Sequence, residues 1–296
     1  MGAQSRILVG IVAGLLSVVI GVGWQIATRA GVTSTLTPVD LALLRYGVPA
    51  LVLSPLWWRA GLIPAGVDKR LLGAMILGAG VCFGLLGMAG AQFAPAAHMG
   101  ALLPASMPVF VGLMAFLVLG EPLPRRRLVG FALIVAGICA IALPSLMLSK
   151  DGAWRGHLLF LGASLLWSIY TVAFRKSGLS PWVSSAIIAA WSFPVAVTVW
   201  LVLGMGRLMS APSGDILWQF FWQGLFAGVG GLGAYAIAVR NLSASSAATF
   251  GALVPVAAAL GGWVVLGEPL EPSTMAGVIL TSAGVAAVAL LPGRPS

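Results

Sequence analysis

Charge is scarce in this chain. Only 8% of its 296 residues are Asp, Glu, Lys or Arg, against roughly a quarter in soluble domains. So few charges could not clothe the surface of a water-soluble fold, and 60% of the residues are hydrophobic. Lipid is therefore the solvent for most of the chain, which excludes a secreted disulfide scaffold, a disordered tail and a nucleic-acid-binding domain. Acidic residues are rarest: seven Asp and Glu stand against sixteen Lys and Arg, a formal charge of +9. The excess does not call for a nucleic-acid partner, because the positive residues sit in short loops between apolar runs, where they report topology. Cysteine is nearly missing. Cys82 and Cys139 both lie inside apolar stretches and read as small buried hydrophobes, with no ligand partner nearby for a disulfide or a metal. The first apolar run, 7–28, is too long for the h-region of a signal peptide and no small-residue cleavage site follows it, so it reads as a retained span.

What is present is long hydrophobic runs. A helix needs about 20 apolar residues to cross a bilayer. Dividing the chain at charges, prolines and glycine-rich breaks predicts ten spans: 6–28, 38–58, 70–92, 96–119, 126–143, 155–175, 182–203, 216–239, 244–266 and 273–291. The runs are continuous rather than alternating, and an open sheet edge cannot face lipid, so strands are excluded. The expected fold is an all-α integral membrane protein. With the N-terminus inside, the inner loops hold Arg6, Arg59, Lys69, Arg70, Arg125, Arg126, Arg127, Arg175, Lys176, Arg240 and Arg294. The outer loops hold Arg29, Lys150, Arg155 and Arg207. That imbalance predicts both termini in the cytoplasm.

The chain also repeats itself. Residues 108–143 align without a gap with 255–290, identical at 16 of 36 positions and sharing LGEPL at 119–123 and 266–270. Weaker echoes set Thr37-Pro38 against Ser180-Pro181 and Arg29-Ala30-Gly31 against Lys176-Ser177-Gly178. Two five-span halves follow, 6–143 and 155–291. Because five is odd, the second half is expected to enter the membrane upside down. The loops agree: Arg125-Arg126-Arg127 follow the first LGEPL, whereas Glu271-Pro272-Ser273-Thr274 follow the second. Inverted repeats with a pathway between them are an architecture of secondary transporters.

Two five-helix units, each ending in a Pro, LGE-P-L and spaced glycines, resemble the EamA modules of the drug/metabolite transporter superfamily. Leu43-Leu44-Arg45-Tyr46 is similar to the arginine-bearing stretch of that module's second helix; span 7 has no matching arginine. The resemblance covers essentially the whole chain. It implies export of amino acids or related metabolites, including those with aromatic side chains, across a bacterial inner membrane. It further implies a cavity lined by spans 1, 3, 4, 6, 8 and 9, with spans 5 and 10 peripheral or dimer-facing in a monomer or homodimer.

Several residues carry more than one reading. Arg45, about 10 Å of helical rise into span 2, either holds an anionic substrate group or anchors its helix; its span lies outside the implied cavity, which favours the anchor. Glu121 and Glu268 each follow a Gly that can end one helix and precede a Pro that can begin the next, so they read as turn-fixing residues. His98 either senses pH, binds a carboxylate or closes a helix end; His157 reads as interfacial. Asp40 and Asp215 read as helix caps. The cavity is then apolar and aromatic, with substrate-binding candidates Trp24, Met75, Phe83, His98, Met107, Trp167, Tyr170, Tyr235 and Phe250, beside Gln25, Met88, Met99, Ser106, Ser168 and Thr249. Flexible Met and flat rings suit large apolar or aromatic amino acids. Trp57, Trp58, Trp154, Trp182 and Trp218, at span ends, read as an aromatic belt. No cofactor or metal is expected, and no nucleophile–base pair points to an enzyme. The alternatives are a drug or nucleotide-sugar carrier of the same fold, or a membrane enzyme or structural protein. Among 39 glycines, those of spans 3 and 8 cluster, permitting close helix packing or bending.

Overall fold

The computed structural model describes residues 3–121, 123, 125–147, 152–203, 206–242 and 249–290. Lys150, Arg294, Pro122 and the expected start of span 9 at 244–248 lie outside the described residues, as does the end of span 10 at 291. Every regular element among them is helical. The first half comprises α1 (Ala3–Thr33), α2 (Pro38–Val52), α3 (Ser54–Ala60), α4 (Lys69–Ala79), α5 (Val81–Phe93), α6 (Ala96–Leu119) and α7 (Arg125–Met147). The second comprises α8 (Ala153–Ser177), α9 (Pro181–Leu203), α10 (Ser213–Gln219), a π-helical segment (Phe220–Gly230) and α11 (Gly231–Asn241). A 3-10 turn (Phe250–Ala252), α12 (Leu253–Leu266) and α13 (Pro272–Leu290) complete it.

Eight helices among the described residues are long and apolar enough to cross a membrane, and nine if the α2–α3 pair, bent by 66°, counts as one. The remaining expected span is a shorter apolar helix, Phe250–Leu266. The elements begin and end where local chemistry dictates. Pro38 and Pro181 open their helices, where a missing N–H costs nothing. Thr37 and Asp40 close a reciprocal capping box at the start of α2. The LGEPL glycines do the same job twice: Gly120 (φ 67°) and Gly267 (φ 68°) take the left-handed conformation that ends α6 and α12. The next amide in each reaches back six positions, Glu121 N–H to Ala115 O and Glu268 N–H to Gly262 O, both 3.2 Å.

In lipid the hydrophobic effect cannot hold helices together, so close backbone approach must. The α7–α13 pair uses it most plainly. A Cβ on Gly130 would stand 2.8 Å from Gly284 O, and one on Gly137 would stand 2.7 Å from Gly277 O. The contacts run in opposite order along the two helices, so they pack antiparallel. In the repeat alignment Gly130 corresponds to Gly277 and Gly137 to Gly284; each glycine thus meets the counterpart of the other. Elsewhere α8 packs against α4, α5 and α6, while α1 packs against the π segment, α11 and α12. A core of Trp24, Phe83, Met99, Leu102 and Phe160 lies where these groups meet.

The two cysteines correct the expectation of burial: Cys82 and Cys139 are both exposed on the bundle surface. In a bundle bathed in lipid an outward face needs no polarity, so lying within an apolar run does not distinguish inside from outside.

Candidate functional site

Spans 3 and 8, equivalent in the repeat, both depart from α-helix near the middle. Span 3 breaks at Gly80, where a Cβ would fall 2.2 Å from Ile76 O and 2.4 Å from Ser192 Oγ, so no other residue fits. The freed backbone is taken up by Tyr46, whose hydroxyl donates to the Gly80 carbonyl and, at 3.3 Å, to Ala79 O. Span 8 contains the eleven-residue π segment Phe220–Gly230, a rare geometry that marks functional sites. Ala79 beside one irregularity and Ala227 and Gly228 within the other face a common cavity of about 70 Å³, whose further walls include Arg45, Trp167 and Tyr170.

Arg45 is the charge in this cavity. Its guanidinium lies 4.7 Å above the Trp24 ring, and its Nη1 is buried with no hydrogen-bond partner among the described residues. Trp24 is fixed in turn: its indole N–H donates to Gln223 Oε1 at 2.7 Å, and Gln223 donates to Thr28 Oγ1 at 2.9 Å. A file of rings leads away from it. Trp24 stacks on Phe83 at 6.2 Å, Phe83 meets Trp167 at 4.9 Å, and Trp167 meets Tyr170 at 5.0 Å. Met75, wholly buried, packs in the cluster of Tyr170 and Ile188.

Five of the nine sequence candidates therefore gather here: Trp24, Met75, Phe83, Trp167 and Tyr170. Met107 packs against the same core as Trp24 and Phe83 but does not line the cavity. Three stand apart. Phe250 packs with Val18, Val22 and Ala258 between α1 and α12. Tyr235 is 46% exposed on α11. His98 is buried near one end of the bundle. The cavity draws on α2 and α9, spans 2 and 7, which the family resemblance left out of the lining; Arg45, which that omission made an anchor, lies on its wall. The signal that would have found it is the intramembrane charge itself.

Both glutamates hold ion pairs at turns, at opposite ends of α6. Glu121 follows its C-terminus and meets Arg175 at 2.9 Å, both side chains about half exposed. Glu268 sits at its N-terminus: Oε1 pairs with Arg29 at 2.7 Å, and Oε2 accepts from the Ala96 amide at 2.8 Å. Arg29 also donates to Ala91 O at 2.6 Å and Gln92 O at 3.2 Å, so one pair caps the end of α5 and the start of α6 together. Asp40 does more than cap. It also accepts from Trp200 Nε1 at 2.9 Å and from the Arg207 amide at 2.9 Å, tying the start of α2 to the loop after α9. His157, near the start of α8, is buried against His98 at the Glu268 end.

A membrane bundle with a central cavity at paired helix irregularities is the architecture of a transporter. The model of the EamA-like transporter family matches residues 8–143 and 154–290, and the chain belongs to that family. An uncharacterized protein of Pseudomonas aeruginosa is 29% identical over 181 residues, 60% of this chain and 59% of its own length. The uncharacterized transporter YetK of Bacillus subtilis is 26% identical over 206 residues, 66% of this chain and 60% of its own. The uncharacterized transporter YvbV of the same organism is 27% identical over 187 residues, 58% and 56% respectively. The chain thus spans about three fifths of the length of these curated relatives. One solved crystal structure matches over 97% of both chains with a TM-score of 0.59 at 18% identity, a likeness of fold alone.

Proposed function

We propose that this EamA-family protein is a ten-span secondary carrier that exports amino acids with large apolar or aromatic side chains by alternating access. The observation that carries the reading is the buried, unsatisfied Nη1 of Arg45 on the wall of a cavity otherwise made of rings and small residues. A buried guanidinium donor without an acceptor is costly, and a substrate carboxylate would satisfy it, in two-pronged fashion. The Trp24, Phe83 and Trp167 faces would then take a flat apolar side chain. The cavity, about 70 Å³, is far smaller than the several hundred Å³ of a ligand site, so its walls must part to admit a solute.

Reading the chain as two inverted halves, 6–143 and 155–291, supports the mechanism. The reciprocal glycine contacts of α7 with α13 are what equivalent helices related by a two-fold axis in the membrane plane would make. The two LGEPL turns lie at opposite ends of α6, and α1 packs on span 8 as α8 packs on span 3. Positive loop charges put the Glu121 end in the cytoplasm of a bacterial cell, with both termini, and the Glu268 end outside. Among the described residues the Arg29–Glu268 pair and the His98–His157–Thr274 bonds tie the outer end together, which supports reading this as an outward-closed conformation.

Uptake of aromatic, aliphatic and charged amino acids into proteoliposomes tests the substrate class. Aromatic substrates should be carried fastest, and Arg45→Met should lower their flux at least tenfold. Equal flux of amino acids and their carboxamides, or preference for strongly charged solutes, would overturn the reading.

A further inference from the structure

We propose that His98 and His157 form a proton-binding site, separate from the central cavity, whose protonation opens the end of the bundle that they help to close. The proposal rests on the alternating-access reading.

These are the two histidines of the whole chain, and the fold brings them together from different halves. His98 Nδ1 on α6 lies 2.9 Å from His157 Nε2 on α8, and His98 Nε2 lies 2.9 Å from Thr274 Oγ1 on α13. The chain of hydrogen bonds stitches one half to the other a turn inside the Arg29–Glu268 pair. It can run in either direction, depending on the imidazole tautomers. If His157 donates to His98, then His98 donates to Thr274 and the His157 Nδ1 lone pair is left bare. If Thr274 donates to His98, the His157 Nδ1–H is left without an acceptor. Either way one ring nitrogen has no use in the closed structure, and His157 Nδ1 is indeed buried and unpartnered among the described residues.

An added proton goes to that nitrogen in the first arrangement. A hydronium gives it up and becomes water, and the ring becomes an imidazolium that still donates to His98. Among the described residues, the charged groups around it offer no partner. Arg29, from α1, is the cation whose field reaches His98, and Glu268 is already committed to it and to Ala96. On α8, Arg155 lies over the Phe93 and Trp154 rings, and Glu271, just before α13, is exposed. Lys69, Arg70, Arg125 and Arg127 begin α4 and α7 at the far end of those spans. A dry imidazolium beside Arg29 is therefore incompatible with closed packing, whereas a hydrated one is not. The open form binds the proton more tightly, so lower pH shifts the population toward it. Hydrated imidazole titrates near pH 6.5, so opening should begin as the outer pH falls below that value, its midpoint lower by one pH unit for each tenfold preference for the closed form.

The experiment uses the whole chain in lipid bilayers, labelled with 15N-histidine, which reports this site and no other. Solid-state NMR should show two neutral rings coupled across their hydrogen bond at pH 8, and imidazolium signals appearing between about pH 6.5 and pH 4. Spin labels at Thr33→Cys and Glu271→Cys, in a Cys82→Ala, Cys139→Ala background, should separate over the same range. His157→Gln should hold their distance constant with pH. Rings that stay neutral to pH 4, rings that charge with no change in label distance, or an unchanged response in His157→Gln would each overturn the proposal. Should the variant fail to fold, the first two measurements on the native histidines decide alone. Solute flux with no pH response in ring charge or label distance would leave the carrier standing and remove the proton site. Opening on acidification without flux of any amino acid would do the reverse.

Discussion

At one end of the bundle the Glu268 side chain is 13% exposed and holds both Arg29 and the Ala96 amide; at the other its sequence counterpart Glu121 is 45% exposed and holds Arg175. The five residues around each glutamate are the same, and both turns close with the same left-handed glycine and the same pair of amide bonds. Local sequence has thus done identical work twice. The difference comes from what arrives from elsewhere: α5, α6, α8 and α13 converge on the Glu268 end with a histidine pair and glycine contacts. An identical motif in two environments is what a carrier resting in one of two states presents, because the states exchange environments rather than motifs.

Crowding the Glu268 end should have the largest effect. A Cβ on Gly156 would lie 2.7 Å from Gly90 O and 2.7 Å from the Ala94 Cβ, so backbone would have to move. Gly156→Leu should cost roughly 2–3 kcal/mol, the upper range for overpacking, seen as a lower Tm or as the end forced open in spin-label distances. Gly162→Ala, on the same helix but meeting only Leu86 Cδ1 at 3.4 Å, is the control and should change Tm little. Equal effects would mean that the closed end is not specially packed.

Cutting the two ion pairs comes next. Glu268→Gln leaves Arg29 partly buried without its anion and weakens the cap on α6, a loss of about 2 kcal/mol on the scale of charge-assisted bonds. Labels at Thr33 and Glu271 should move apart in this variant, because the loss falls on the closed state alone. If Glu268→Gln leaves both Tm and label distance unchanged, the pair is not a latch.

Much of this organisation was legible in the sequence. LGEPL repeated at a fixed spacing, with arginines after one copy and none after the other, is a covalent record of two halves, and apolar length predicts the helices. Trp24, Phe83, Trp167 and Tyr170 could be chosen because large rings are conspicuous in a chain this rich in small residues. Other features leave no local trace. The π segment at Phe220–Gly230 reads as ordinary apolar helix, since i→i+5 bonding depends on what packs against it. Arg45 was visible as a charge, but its free nitrogen and its place on the cavity depend on the break at Gly80 and on Trp24. His98 and His157 stand 59 residues apart, and only the packing of α6 on α8 makes them a pair.

The smallest expected effect is the most discriminating for the comparison. Glu121→Gln removes the same carboxylate from the same turn, yet its ion pair with Arg175 is about half exposed. Exposed pairs contribute below about 1 kcal/mol, and salt screens what remains. The variant should therefore shift Tm by a degree or two at most, and by less in high salt, while Glu268→Gln keeps most of its effect there. This ranking of the two variants belongs to a chain closed at the Glu268 end. Were a bound substrate to hold it in the opposite conformation, Glu121 would become the buried partner and the two substitutions should exchange their sizes. Unfolding curves for both variants with and without a transported amino acid measure that exchange, and identical ranking under both conditions would show the asymmetry to be permanent architecture rather than one half of a cycle.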